Sequence, residues 1–156
     1  MTSARVSLIP IAEAEYDDFF ALFAEYYSEM ARYEDDPETV EEHLRYYRPA
    51  MLADMEGREL YWIAVDGDQG GFIVVRYLPD WPREERMIAS IAEFYVRPGY
   101  RRGGVGTAAV EALLAEHRDR GTYLVEADIL VRNEPAKAFW GGLGFETQFL
   151  QTGRRP

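Results

Sequence analysis

Residues 91–107 constrain this chain more than any other stretch. The run Ile91-Ala92-Glu93-Phe94-Tyr95-Val96 reads as the end of a strand over 87–96 that is apolar on both faces, as a central strand must be. It passes through a turn, Arg97–Arg102, into Gly103-Gly104-Val105-Gly106-Thr107 and a helical pattern carried by Val105, Ala108, Ala109, Ala112 and Leu113. A helix start offers free backbone N–H groups and the positive end of the macrodipole, which together attract phosphate oxygens. Glycine at 103, 104 and 106 removes side chains that would hold a diphosphate off those amides, and Arg101 and Arg102 add positive charge. Glycines alone could do no more than permit a tight bend. The arginines, the strand before and the helix after favour a pyrophosphate site.

The rest of the chain supplies a sheet for that unit to belong to. Residues 5–9 alternate as a first strand. Tyr16, Phe19, Phe20, Phe23, Tyr27 and Met30 recur at amphipathic-helix spacing. Asp36 is placed to cap a second helix with Pro37 in its first turn, and Val40, Leu44, Tyr47 and Met51 give it an apolar face. Pro49 is expected to kink or end it. Strands at 60–65 and 71–78 flank a hairpin turn in 66–70, and Pro79–Glu85 reads as a polar loop. After the helix stopped by Gly121 come a strand at 123–131, a short helix at 134–142 capped by Asn133, and a last strand at 145–150. The expected order is β-α-α-β-β-β-α-β-α-β, an α/β fold with a mixed sheet and helices on both faces, in one domain over 1–156.

Composition narrows the partners. The chain has no cysteine, which removes disulfides, thiolate metal sites and a cysteine nucleophile. Its net charge of −11 is concentrated in residues 1–60, which hold 15 acidic against 5 basic side chains. Such a surface argues against nucleic acid and suits a cationic ligand on the N-terminal half. The N-terminus lacks the features of a signal peptide and no run is long enough to span a membrane, so a soluble, cytoplasmic protein is expected. His43 and His117 fall on helices without evident partners and read as surface residues, and no metal constellation is visible.

Two signatures resemble the GNAT family of N-acetyltransferases. Arg101-x-x-Gly104-x-Gly106 matches its (Q/R)xxGx(G/A) motif, and Asn133-x-x-Ala136-x-x-Phe139-Trp140-x-x-Leu143-Gly144-Phe145 resembles its second, asparagine then alanine, an aromatic, and Gly-Phe. The likeness covers about 60–150, an acetyl-CoA-binding core, with 1–59 as the acceptor-side region. The resemblance implies the GNAT acyl-CoA N-acyltransferase fold, with two central strands splayed at a bulge, and transfer of an acetyl group from acetyl-CoA to a primary amine. It further implies that backbone amides of Arg102, Gly103, Gly104, Val105, Gly106 and Thr107 hold the pyrophosphate. Main-chain groups of Phe94 and Val96 would pair with the pantetheine arm, an amide of Phe94 or Tyr95 would face the thioester oxygen, and Asn133 would bond the pantetheine or cap its helix.

Glu93 is the expected base, a lone carboxylate in an apolar strand beside the expected bulge; the alternative is a solvent-facing strand end or a pair with an arginine such as Arg97. Where much of the family has an acidic tyrosine this chain has Trp140, whose indole can donate a hydrogen bond but no proton, so it is left to contact the cofactor or fill core. Tyr26, Tyr27, Glu29 and Tyr33, with Glu34 and Asp35, are the candidates to meet a cationic acceptor. A nicotinamide-binding reading of Gly104-x-Gly106-x-x-Ala109, with Glu126 and Asp128 roughly 20 residues on, is the lesser expectation, because it leaves the Arg101-Arg102 doublet and the Asn133–Phe145 segment unexplained and expects several further βα units. A non-catalytic acyl-CoA-binding regulatory module stays open, supported by Trp140 and opposed by Glu93. Either a monomer or a homodimer fits, because the short tail after Leu150 leaves little room for a further strand.

Overall fold

The computed structural model describes residues 3–156, so the first two residues of the region read as acceptor-side lie outside it. The elements are β1 (Val6–Pro10), α1 (Tyr16–Met30), α2 (Val40–Leu52), β2 (Arg58–Val65), β3 (Asp68–Asp80), β4 (Arg83–Val96), α3 (Val105–Arg120), β5 (Leu124–Ala127) and α4 (Glu134–Gly142). The sheet runs β1-β2-β3-β4-β5, antiparallel throughout except for the parallel pair β4–β5. This is the mixed α/β sheet that the sequence implies.

Strand alternation sorts the core onto two faces. Tyr61, Ile63, Val65, Ile73, Val75, Ala89 and Ile91 pack with Val105, Ala109, Val110 and Leu113 of α3 and Trp140 of α4. Leu60, Trp62, Phe72, Val74 and Tyr95 point the other way, onto Phe19, Phe20, Leu22, Phe23 and Tyr27 of α1 and Met51 of α2. The second face is an aromatic pack: Phe19 meets Phe72 edge-on at 5.0 Å and Phe23 stacks on Tyr47 at 4.4 Å.

Several boundaries differ from the sequence reading. The second helix starts at Val40, not near Pro37, because Thr39 rather than Asp36 caps it: its Oγ1 accepts from the Glu42 amide at 3.1 Å. Pro49 is carried inside that helix, three residues before its end. The β2–β3 turn is only Asp66-Gly67, both at positive φ, so pairing continues to Val65 and Asp68, farther toward the turn than expected. The segment read as a polar loop instead extends the β3–β4 hairpin, with Asp80 paired to Arg83. No strand forms at 145–150 among the described residues; Phe145 packs on Trp140 at 4.9 Å, while Phe149 and Leu150 are exposed. Apolar pattern predicted a strand there, but a strand also needs a neighbour offering backbone partners.

One irregularity positions the site. Val74 pairs with Glu93, yet Val75 pairs with Ile91, so Ala92 is an extra residue in β4. Without it Glu93 would share a face with Ala89 and Ile91 and point toward α3. The extra residue reverses the alternation and turns Glu93 to the α1/α2 face.

Candidate active site

Beyond this bulge the two parallel strands part. β5 pairs with β4 only over Ile88–Ile91 and ends at Ala127, whereas β4 runs on to Val96. Residues 92–96 therefore have one edge free of β5. The Arg97 amide donates to the Gly70 carbonyl at 2.8 Å, across the β3 side. Alternate residues of an antiparallel ladder face the partner strand, so Phe94 and Val96 turn their main-chain groups to the open edge and Tyr95 does not. The Val96 carbonyl already accepts from Arg101 Nε at 2.7 Å.

The open edge leads to the start of α3. Gly104 precedes it with φ +78°, a left-handed conformation that glycine adopts without strain, and no side chain caps the helix or places an acid in its first turn. The first-turn amides are thus left for an external acceptor. A Cβ at Gly103 or Gly104 would meet nothing within 4 Å, as a cradle for a ligand requires. Gly106 is glycine for a different reason: a Cβ there would lie 3.3 Å from the Phe139 ring. Phe139 stacks on Phe94 at 5.5 Å, so this glycine lets α4 close on α3.

The two arginines separate. Arg102 is exposed and holds a positive φ of 69° beside the helix start. Arg101 instead turns to α1, donating to both Glu29 carboxylate oxygens at 2.8 and 2.6 Å. That ion pair also accounts for Glu29, which does not line the cavity described next. Asn133 is a helix cap: its Oδ1 accepts from the Ala136 amide at 3.1 Å, and its Nδ2 lies 3.7 Å from Met30 Sδ. Trp140 is 5% exposed and packs edge-on against Phe94, Phe139 and Phe145.

On the other side of β4, a cavity of about 250 Å³ opens beside the bulge. Phe23, Tyr26, Tyr27, Met30 and Glu34 line it from α1 and its end, His43 from α2, Ala92 and Glu93 from β4, and Asp128 to Leu130 from the segment after β5. That segment is tied to α1's end by Arg132, which pairs with Asp35 at 2.9 Å and donates from Nε to the Tyr33 carbonyl at 3.2 Å. Tyr33 itself does not reach the cavity. The Tyr47 hydroxyl donates to Glu93 Oε1 at 3.4 Å. The Glu93 carboxyl is pushed up to about 7, because burial, with Asp128 adding to it, outweighs the Tyr26 and Tyr47 hydroxyls and the Arg58 charge that pull it down.

Of the residues singled out from the sequence for this site, Glu93, Tyr26, Tyr27 and Glu34 line the cavity; Tyr47, His43 and Asp128 were not among those singled out. His43 is no lone surface residue: its ring stacks on Tyr27 at 3.8 Å and its Nδ1 meets Glu38 at 3.1 Å. His117 is buried, with Nδ1 2.8 Å from Thr122 Oγ1. The i, i+4 spacing of His43 and Tyr47 on one helix face was the available signal. Asp128 left none, since the strand expected over 123–131 ends before it. Among the described residues no group of three or more metal-ligating side chains is placed to hold an ion, and no helix is long and apolar enough to cross a membrane.

Comparison with known proteins adds to this geometry. The sequence profile of the acetyltransferase (GNAT) family matches residues 16–145. An uncharacterised N-acetyltransferase of Methanocaldococcus jannaschii, MJ1207, is 28% identical over 145 residues, 92% of this chain and 62% of that protein. The aminoglycoside N(6′)-acetyltransferase type 1 of Stenotrophomonas maltophilia is 34% identical over 97 residues, 61% of this chain and 63% of that protein. The chain thus spans somewhat under two thirds of the length of these curated relatives. Among solved structures, the aminoglycoside N-acetyltransferase AAC(6′)-Iy in complex with CoA superposes with a TM-score of 0.71 at 14% identity, covering 99% of this chain and 97% of that one. At that identity the likeness concerns the fold.

Proposed function

The chain belongs to the acetyltransferase (GNAT) family, and on that premise we propose that it moves the acetyl group of acetyl-CoA to a primary amine of a cationic small molecule, by direct attack in a ternary complex. The observation that carries this reading is the position of Glu93, turned by the Ala92 bulge into a cavity beside the open edge of β4.

An alkylamine is mostly protonated near pH 7, and only the neutral form attacks a thioester. Glu93 takes that proton, directly or through water. With a pKa of about 7 it is largely ionised just above neutrality, yet a far stronger base than an ordinary carboxylate. Phe23, Tyr26 and Tyr27 line the cavity with aromatic rings and Glu34 and Asp128 with carboxylates, and among the described residues no lysine or arginine lines it. This combination suits a cation. The relative named for aminoglycoside 6′-acetylation directs attention to polycationic acceptors among these.

Acetyl-CoA supplies a thioester whose thiolate, with a pKa of about 8.5, leaves tolerably without a protein acid. That suits a chain in which Trp140 fills core. The amides of Arg102–Thr107 hold the pyrophosphate, with Arg102 rather than Arg101 as the nearby cation. Phe94 and Val96 pair with the pantetheine arm, and the outward Phe94 amide, not that of Tyr95, is the oxyanion donor. Asn133 serves chiefly as the cap that sets α4.

The deciding experiment is thiol release from acetyl-CoA across polyamines, aminoglycosides, amino acids and peptide N-termini. Cationic small amines are expected to raise release well above hydrolysis. Binding of acetyl-CoA with no acceptor raising release would replace the enzyme by a regulatory acyl-CoA-binding module.

A further inference from the structure

Glu93 reaches the cavity from the sheet, but one of the hydroxyls that act on it comes from α2. Tyr47 sits on α2 and donates to Glu93 Oε1 at 3.4 Å. Its ring is fixed independently of that bond. It stacks on Phe23 at 4.4 Å and 18°, Phe23 is 1% exposed, and the His43 ring lies 5.5 Å away. A hydroxyl placed by ring packing keeps its position whether the carboxyl is charged or neutral. It therefore favours the charged form, which accepts the stronger hydrogen bond.

We propose that Tyr47 is a positioning residue for the base, holding the ionised Glu93 carboxylate in the cavity so that α2, on the acceptor side, contributes to the pH at which transfer begins. The proposal rests on the reading of Glu93 as base. Tyr47 is not itself the proton donor that Trp140 fails to be: burial and the neighbouring Glu93 push its hydroxyl further up from an already weak acidity. It donates a hydrogen bond and keeps its proton.

The other groups facing Glu93 divide by sign. Tyr26 from α1 and Arg58 at the start of β2 favour its ionisation, and Asp128 after β5 opposes it. Glu34 and the Glu38-paired His43 share the cavity. Against this balance, Tyr47→Phe removes one donor and leaves the ring stack, so the fold is not at risk.

The test compares Y47F and E93Q with the parent in kcat/KM against pH, together with a carboxyl ¹³C NMR titration of Glu93 in the unliganded protein. The ratio of variant to parent cancels the ionisation of the amine. A base works only when deprotonated, so losing a donor should move the acid limb up by about one pH unit. Y47F is then roughly tenfold slower than the parent well below the limb and equal to it above. The KM for acetyl-CoA stays unchanged, and the Glu93 titration moves the same way. A loss of rate that is the same at every pH, or an unmoved titration, overturns the proposal. If E93Q keeps the parent's profile, the base reading falls, and the titration alone still decides whether Tyr47 holds Glu93.

Discussion

On the proposed function, the two sides of β4 would recognise their ligands by different means. On the α3 side the work falls to main chain: the outward groups of Phe94 and Val96 and an uncapped helix start, all within residues 94–107. On the α1/α2 side it falls to side chains drawn from Phe23 to Asp128, converging on one cavity. A backbone site is cheap to specify locally, because glycine spacing and a strand–helix junction nearly define it. A side-chain site is specified only when the whole sheet is in register.

The sharpest way to break this comparison is to disable one side alone. Glu93→Gln should lower kcat/KM by about 10²–10⁴-fold at pH 7 and leave acetyl-CoA affinity intact, with activity returning as the amine deprotonates at high pH. A pH-independent loss would assign Glu93 to positioning. Stability supplies a second readout. The folded carboxyl, at about 7, lies above its ordinary value of 4.5, so the folded state favours the protonated form. Its contribution is full below about pH 4.5 and lost as pH rises through 7. E93Q should therefore gain thermal stability over the parent at pH 8 but not at pH 4.

The opposite side is tested by Gly103→Glu, expected to weaken acetyl-CoA binding about 10- to 100-fold, or roughly 1.4–2.7 kcal/mol, with Tm unchanged. Gly103 is preferable to Gly104 because a side chain at the left-handed Gly104 would be strained whatever it met. Undiminished affinity measured by calorimetry would remove the pyrophosphate from the α3 start.

Smaller effects sharpen the boundary between the sides. Trp140→Tyr should cost about 1–2 kcal/mol in stability from lost volume among Phe94, Phe139 and Phe145. Its rate should change by less than about threefold, because a thiolate of ordinary pKa does not need an acid. A large gain in thiol release would show that protonation limits the parent. Glu29→Gln, which breaks a partly exposed ion pair joining the two sides, should cost only about 0.5–1 kcal/mol and leave the acetyl-CoA Kd where it was. Tighter binding would mean that Glu29 withholds Arg101 from the cofactor.

Much of this molecule is legible in its sequence. The α3 start, Gly121 as its stop, and α4 from Glu134 to Gly142 under an Asn133 cap are read from local chemistry and found as read. These elements are fixed by backbone conformation and capping, which neighbouring residues decide among themselves. The apolar run at 145–150 shows the limit, since a strand is a relation between two segments and among the described residues none pairs with it. His43 and Tyr47 show it again: their spacing on α2 is visible, but not that Phe23 and Glu93 stand opposite.

What the sequence determined by itself is the glycine–arginine junction, the strand before it and the family they belong to. Tertiary structure alone decided which way Glu93 faces, which arginine pairs with Glu29, and which residues share the cavity with that carboxylate. The reason is physical. Helix starts and tight turns are governed by dihedral preferences within a few residues, whereas one extra residue in β4, fixed only by pairing with β3, turns a carboxylate from one face of the sheet to the other.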